Sequence, residues 1–193
     1  MSILRTVDES AATGDVAALY EEEIEAQGYV PSHTKVMALN PEAARAWQSL
    51  AQSLARPMGK RRWELVTLAA ARALRSQHCL LAHGRRTMLL LPEEQLLRLA
   101  EDYRDADLTE AEVAMMAFAE KVSTASHAMT DDDSLRLREV GFSDREIVDI
   151  ALAAAARNYY SRAIQALAVD VDVPPDLPDP LREALLRPLG AQA

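Results

Sequence analysis

Helix starts are written into this chain repeatedly, and they constrain its fold more than any other feature. Asn40-Pro41 combines an N-cap side chain with a proline at the first helical position. Thr109 with Glu112, and Ser143 with Glu146, have the spacing of reciprocal capping boxes. Thr130 is followed by Asp131-Asp132-Asp133, carboxylates that a helix dipole favours at its N-terminus. Stops are equally marked: Gly28 and Gly141 suit helix ends, and Pro92 closes another segment. Between these signals apolar residues recur at helical spacing, as in Val16, Leu19, Tyr20 and Ile24. The reading is an extended lead-in over 1–12 and a helix to Gly28, then a short helix over Thr34 to Leu39 and one from Asn40 through Trp47 to Ala55. A break at Pro57-Met58-Gly59 precedes a helix from Arg61 to Arg75, with Leu65, Leu68, Ala69 and Ala73 as one buried stripe. Ser76-Gln77-His78 interrupts, and helices over Cys79 to Leu90 and Glu93 to Ala100 lead to an acidic loop, Glu101 to Asp107. The tail from Val173 is too proline-rich for a packed element and reads as an arm with a short helix at Leu181 to Leu186. The expected fold class is all-α.

Composition agrees. The 193 residues are 49% hydrophobic, yet only two Phe, two Trp and five Tyr contribute, so Leu, Ala, Val, Ile and Met must fill the core. That mix suits packed helices better than strands. The length fits a single domain over 1–193, with a core of about 15–170 and an arm at 173–193. Thirty acidic against 21 basic side chains give a charge of −9 and no basic stripe, which argues against a nucleic-acid partner. A lone cysteine excludes an internal disulfide and a four-cysteine zinc site. No signal-type apolar core opens the sequence and no apolar run reaches spanning length, so the expectation is a cytoplasmic protein without membrane attachment. A shift of 82 residues lays Gly59 on Gly141, Glu64 on Glu146, Val66 on Val148 and Arg75 on Arg157, with Ala69, Ala71 and Ala73 on further alanines. It suggests a duplicated helical hairpin, in which Asn158, Tyr160, Ser161 and Gln165 take the places of Ser76, His78, Cys79 and His83.

Chemistry concentrates in Ser76-Gln77-His78-Cys79-Leu80-Leu81-Ala82-His83, which holds the only cysteine and half of the four histidines. Cys79 and His83 stand at i and i+4 and so share a helix face. A cysteine in a first helical turn meets unpaired N–H groups and the positive end of the dipole, conditions that favour a nucleophilic thiolate. The plainer reading is a small buried filler residue. Glu64 lies twelve residues before Ser76, roughly 18 Å along a helix, so local spacing alone does not bring it to Cys79 and it reads as a solvated helix-start carboxylate. His33 and His127 carry no ligand spacing and read as surface or cap residues. His78 and His83 straddle a helix rather than share a face, against metal binding. Met115, Met116 and Phe118 read as core, and the runs Glu21 to Glu23 and Asp131 to Asp133 as solvated surface.

Glu64, then Ser76-Gln77-His78-Cys79 and His83, resembles the signature of the alkylhydroperoxidase D and carboxymuconolactone decarboxylase-like superfamily, whose redox members carry Glu and then Cys-x-His-Cys-x-x-x-His at this spacing. Glu64-Leu65-Val66-Thr67-Leu68-Ala69, Gly141-Phe142-Ser143-Asp144-Arg145-Glu146-Ile147 and Asn158-Tyr159-Tyr160-Ser161-Arg162 are similar to that family too, the last two to its peroxidase-related branch. The likeness covers about 15–170. It implies an all-helical, commonly oligomeric fold, with Cys79 as the nucleophile towards peroxide, His83 as its base, Glu64 in the relay behind His83, and His78 tuning the thiolate. No cofactor or metal is implied. Ser76 stands where the family has its resolving cysteine, so recycling of an oxidised Cys79 falls to an external thiol or a redox partner protein. Two further functions stay open: a lyase or isomerase acting on a small lactone through His83 and Glu64, and a non-catalytic, redox-sensing oligomer.

Overall fold

The computed structural model describes residues 3–190, so the first two residues of the lead-in and the last three of the arm lie outside it. Among the described residues the regular structure is helical: α1 Gly14–Gln27, α2 Ser32–Met37, α3 Pro41–Ala73, α4 Gln77–Thr87, α5 Glu93–Glu101, α6 Glu110–Ala125, α7 Asp131–Glu139, α8 Asp144–Ala166 and α9 Asp179–Leu186. Short 3₁₀ turns fall inside the expected lead-in (Glu9–Ala11) and the expected acidic loop (Tyr103–Asp105). No helix among these residues is long and apolar enough to cross a membrane. The capping signals hold. Thr109, Thr130 and Ser143 each form a reciprocal box, with Glu112, Asp133 and Glu146. Asp133 also binds Lys121 at 2.7 Å, so that acidic run is more than solvated surface.

The axis of the molecule is α3. Its two arms meet at the expected break, where Gly59 takes φ 75° and ψ 155°, outside the helical region. Beyond the break, every residue from Trp63 to Ala71 is buried. The single stripe read from the sequence is therefore a whole circumference, because α4, α6 and α8 surround this arm. Just past Gly59, Arg61 binds the capping Glu112 of α6 at 2.5 Å and Arg62 the capping Glu146 of α8 at 2.6 Å. One turn of α3 thus fixes the starts of both neighbours.

The repeat is visible in part. Gly59 and Gly141 both have positive φ and both precede a helix. After that the copies diverge. Arg75 turns left-handed at φ 56° and the chain folds back into α4, whereas Arg157 continues inside the unbroken α8. A second, smaller core of Leu19, Tyr20, Val30, Ala38 and Ala44 joins α1, α2 and the front of α3 into a layer of its own.

The tail departs from the expectation of a loose arm. Leu177, Leu181, Ala184, Leu185 and Leu189 are buried in the main core, and α9 packs on α4 and α5. Its prolines shape the approach without preventing burial: Pro180 occupies an early helical position, where no backbone donor is needed. At Gly84 of α4 an added Cβ would lie 2.4 Å from Leu185 Cδ1, so the Leu185 side chain is seated directly on this glycine and would have to shift for any larger residue.

Candidate active site

The turn that ends α3 sets the site. Leu74 caps the helix, Arg75 reverses the chain, and Ser76 stands at the N-cap of α4 without a side-chain cap bond. Helix α4 begins at Gln77, two residues earlier than the sequence suggested, which makes Cys79 its third residue and keeps it in the first turn. Ser76 is fully buried and its hydroxyl has no hydrogen-bond partner among the described residues.

Glu64 is not the solvated carboxylate that local spacing implied. It is 7% exposed, and its Oε2 lies 2.5 Å from His83 Nδ1. The reason is hairpin register. Arg61 reaches the Leu90 carbonyl at 3.4 Å and Glu64 reaches His83, so the rear arm of α3 and α4 run antiparallel about the turn at 74–76. A residue about ten before the turn then meets one about ten after it. The stretch of helix that keeps Glu64 away from Cys79 is also what places it opposite His83.

Burial is the main force on the pair. It drives His83 down to about 4, against the pull of Glu64. Burial also works to raise Glu64, but the attraction and hydrogen bond of His83, with the charges of Arg86 and Arg157, outweigh it and hold the carboxyl below its ordinary value. At neutral pH the pair is therefore a carboxylate accepting Nδ1–H from an uncharged imidazole. That tautomer leaves Nε2 as a lone pair on a ring that lines the cavity.

Cys79 is 3% exposed and lines a cavity of about 420 Å³. Its sulfur lies 3.2 Å from Ser161 Oγ and 3.7 Å from Arg157 Nη1, both on α8. Trp47 stacks on Tyr160 with centroids 4.7 Å apart, and the two form an aromatic wall. His78 lines the same cavity and donates Nε2–H to the Asp170 carbonyl at 2.8 Å, which ties α4 to the chain after α8. His33 is neither surface nor cap: α2 carries it onto the edge of Tyr160, 5.9 Å between centroids, and burial pushes it to about 3. Glu23 also reaches the cavity, accepting from Thr34 Oγ1 at 2.8 Å. Met115, Met116 and Phe118 are core, as expected. Among the described residues no cluster of three or more His, Cys, Asp and Glu side chains is arranged to hold a metal ion.

The residues that sequence reasoning did not assign to the site are Arg157, Ser161, Tyr160, Trp47 and His33. A signal for Ser161 existed, since the 82-residue shift lays it on Cys79, and the two side chains meet in the structure.

No protein-family model and no curated protein matches the chain. Solved structures do. An uncharacterized peroxidase-related protein with an alkylhydroperoxidase AhpD core, from Ralstonia eutropha, is 24% identical with a TM-score of 0.80, over 95% of this chain and 96% of that one. An uncharacterized peroxidase-related protein from Silicibacter sp. is 28% identical with a TM-score of 0.76, over 86% and 91%. The debrominase Bmp8, also solved in complex with 2,3,4-tribromopyrrole, has a TM-score of 0.76 at 17% identity, over 97% of each chain, a likeness of fold alone.

Proposed function

We propose that this chain, a member of the alkylhydroperoxidase D and carboxymuconolactone decarboxylase-like superfamily, reduces organic hydroperoxides through Cys79 alone. The observation that carries the reading is a first-turn cysteine lining a roughly 420 Å³ cavity, one helical turn from an uncharged histidine backed by a buried carboxylate. His83 accepts the thiol proton at Nε2, and Glu64 stabilises the imidazolium that forms. The thiolate attacks the terminal peroxide oxygen. An S–O bond forms, the O–O bond breaks, and the leaving alkoxide takes the proton back from His83. Sulfur is oxidised by two electrons to sulfenic acid while the hydroperoxide is reduced to its alcohol. Since Ser76 offers no thiol, an external thiol attacks the sulfenic sulfur and expels water, and a second thiol releases Cys79 from the mixed disulfide. A cytoplasmic setting, where small thiols are abundant, and a homo-oligomer are parts of the same reading. The exposed stripe of Val148, Leu152 and Tyr159 on α8 supports the second.

The test is intact mass after mixing with cumene hydroperoxide and a sulfenic-acid trap. Trapping in the wild type, its loss in Cys79→Ser and its slowing in His83→Gln are expected. Thiol-dependent peroxidase turnover that survives in Cys79→Ala overturns the proposal. Because the His83–Glu64 pair also suits proton transfer on carbon, activity on a small lactone that persists after Cys79 alkylation but fails in His83→Gln would favour the lyase. Tribromopyrrole is the control that separates peroxide reduction from thiol-driven dehalogenation.

A further inference from the structure

The cavity holds a cation that forms no ion pair with an acid among the described residues. Arg157 is 4% exposed, and its buried Nε has no hydrogen-bond partner among the described residues. Its hydrogen bond among the described residues runs from Nη1 to Cys79 Sγ. The acids of the cavity are engaged elsewhere: Glu64 with His83, Glu22 with Arg45, Glu23 with Thr34. The guanidinium instead lies over the faces of Trp47 and Tyr160, 5.5 and 5.8 Å from their centroids. Aromatic faces hold a cation in place but leave its charge uncompensated. A guanidinium cannot shed that charge by deprotonation, and a buried ion without a counter-charge is strongly unfavourable. Glu64 feels the charge of Arg157 without bonding to it, and the ionisable group that Arg157 hydrogen-bonds among the described residues is the Cys79 sulfur.

We propose that Arg157 is a catalytic residue, the counter-cation of the Cys79 sulfur. It stabilises the thiolate before attack, and its second edge receives the negative charge that appears on the leaving oxygen as the O–O bond breaks. Only this last role rests on the peroxidase reading. In the sequence Arg157 falls in the alanine-rich stretch of α8, where nothing local marks it out. Antiparallel packing of distant helices brings it to the sulfur.

The test compares alkylation of Cys79 by anionic iodoacetate and neutral iodoacetamide, which need no peroxide chemistry. The wild-type ratio of the two rates is expected to exceed that of N-acetylcysteine. In Arg157→Met it should fall by about tenfold, the low end of what local charge does to the rate of an oppositely charged reagent, while Arg157→Lys keeps most of it. The groups that also shape this field are His33 on α2, Glu64 on α3, His78, His83 and Arg86 on α4, and Tyr160 on α8. Arg86→Gln is therefore run as the control. An unchanged ratio in folded Arg157→Met, or a loss that follows Arg86 instead, overturns the proposal. So does a wild-type ratio no higher than the free thiol's, a comparison that stands even if the variants do not fold. A ratio that falls as expected in a protein that peroxide never converts to sulfenic acid would uphold Arg157 as counter-cation and remove the peroxidase reading.

Discussion

Glu64→Gln is the most informative single change in this protein. It keeps shape and hydrogen bonding, since the amide oxygen can still accept Nδ1–H of His83, and it deletes one charge. In the resting state that charge faces an uncharged imidazole, so its removal should cost little stability, and relieving a buried carboxylate can raise the melting temperature. During proton transfer the ring becomes cationic, and only then does the charge matter. Two unit charges about 4 Å apart at an effective dielectric near 20 attract by about 4 kcal/mol. The 2.5 Å contact and the low exposure of both side chains, 5% and 9%, place the pair in that regime or a tighter one. At about 1.4 kcal/mol per factor of ten, the rate of Cys79 oxidation should drop by about three orders of magnitude. Single-turnover trapping of the sulfenic acid at pH 7 measures it, with thermal unfolding recorded on the same sample. A folded Glu64→Gln protein that oxidises within about threefold of wild type would refute both the relay and the electrostatic reasoning behind it.

Acid should destabilise the fold in a defined window. His83 sits at about 4 against an ordinary 6.5, so between those values the unfolded chain binds a proton that the folded chain refuses. Stability is complete above 6.5 and drains as pH falls, by on the order of 3 kcal/mol. Urea unfolding at pH 7 and pH 4.5 should show it, with a flatter profile in His83→Gln. Ser76→Cys should create a C-x-x-C pair at the start of α4, so that mild oxidation removes two hydrogens from the intact mass and the first resolving step no longer needs external thiol. Leu185→Ala should cost roughly 2–5 kcal/mol, the range for a buried leucine, and lower the melting temperature accordingly. A near-neutral result there would mean that α9 is only loosely docked. Light scattering should give a mass above the 21.2 kDa of one chain.

What the sequence revealed depended on range. Capping boxes are contacts over three residues, and those at Thr109 and Ser143 were readable because the chemistry that makes them is local; at Thr130 only the acidic first turn was read, and its box with Asp133 emerged with the structure. Cys79 and His83 were readable for the same reason, being one helical turn apart. Glu64 needed one more piece of information, the register of a hairpin, which the family likeness implied and helical rise alone did not. Arg157, Trp47 and His33 come from three separate elements, and only tertiary packing assembles them. The tail was misjudged because proline content describes which backbones are allowed, not what is buried. Leu177, Leu181, Leu185 and Leu189 recur every fourth residue, and that spacing, rather than the prolines between, carried the signal.

The docked tail has a consequence for how the protein is made. Helix α4 leaves the ribosome long before the residues that close over it: His78 waits for the Asp170 carbonyl, ninety-two residues later, and Ser32 for Asp172, one hundred and forty later. Leu185, the side chain seated on Gly84, is synthesised one hundred and one residues after it. While the chain is nascent, the cysteine-bearing helix therefore lacks one of its walls, and a folded, protected thiol becomes available only near the end of translation. Premature termination anywhere before α9 would leave the face of α4 that carries Gly84, and the α5 surface beside it, uncovered.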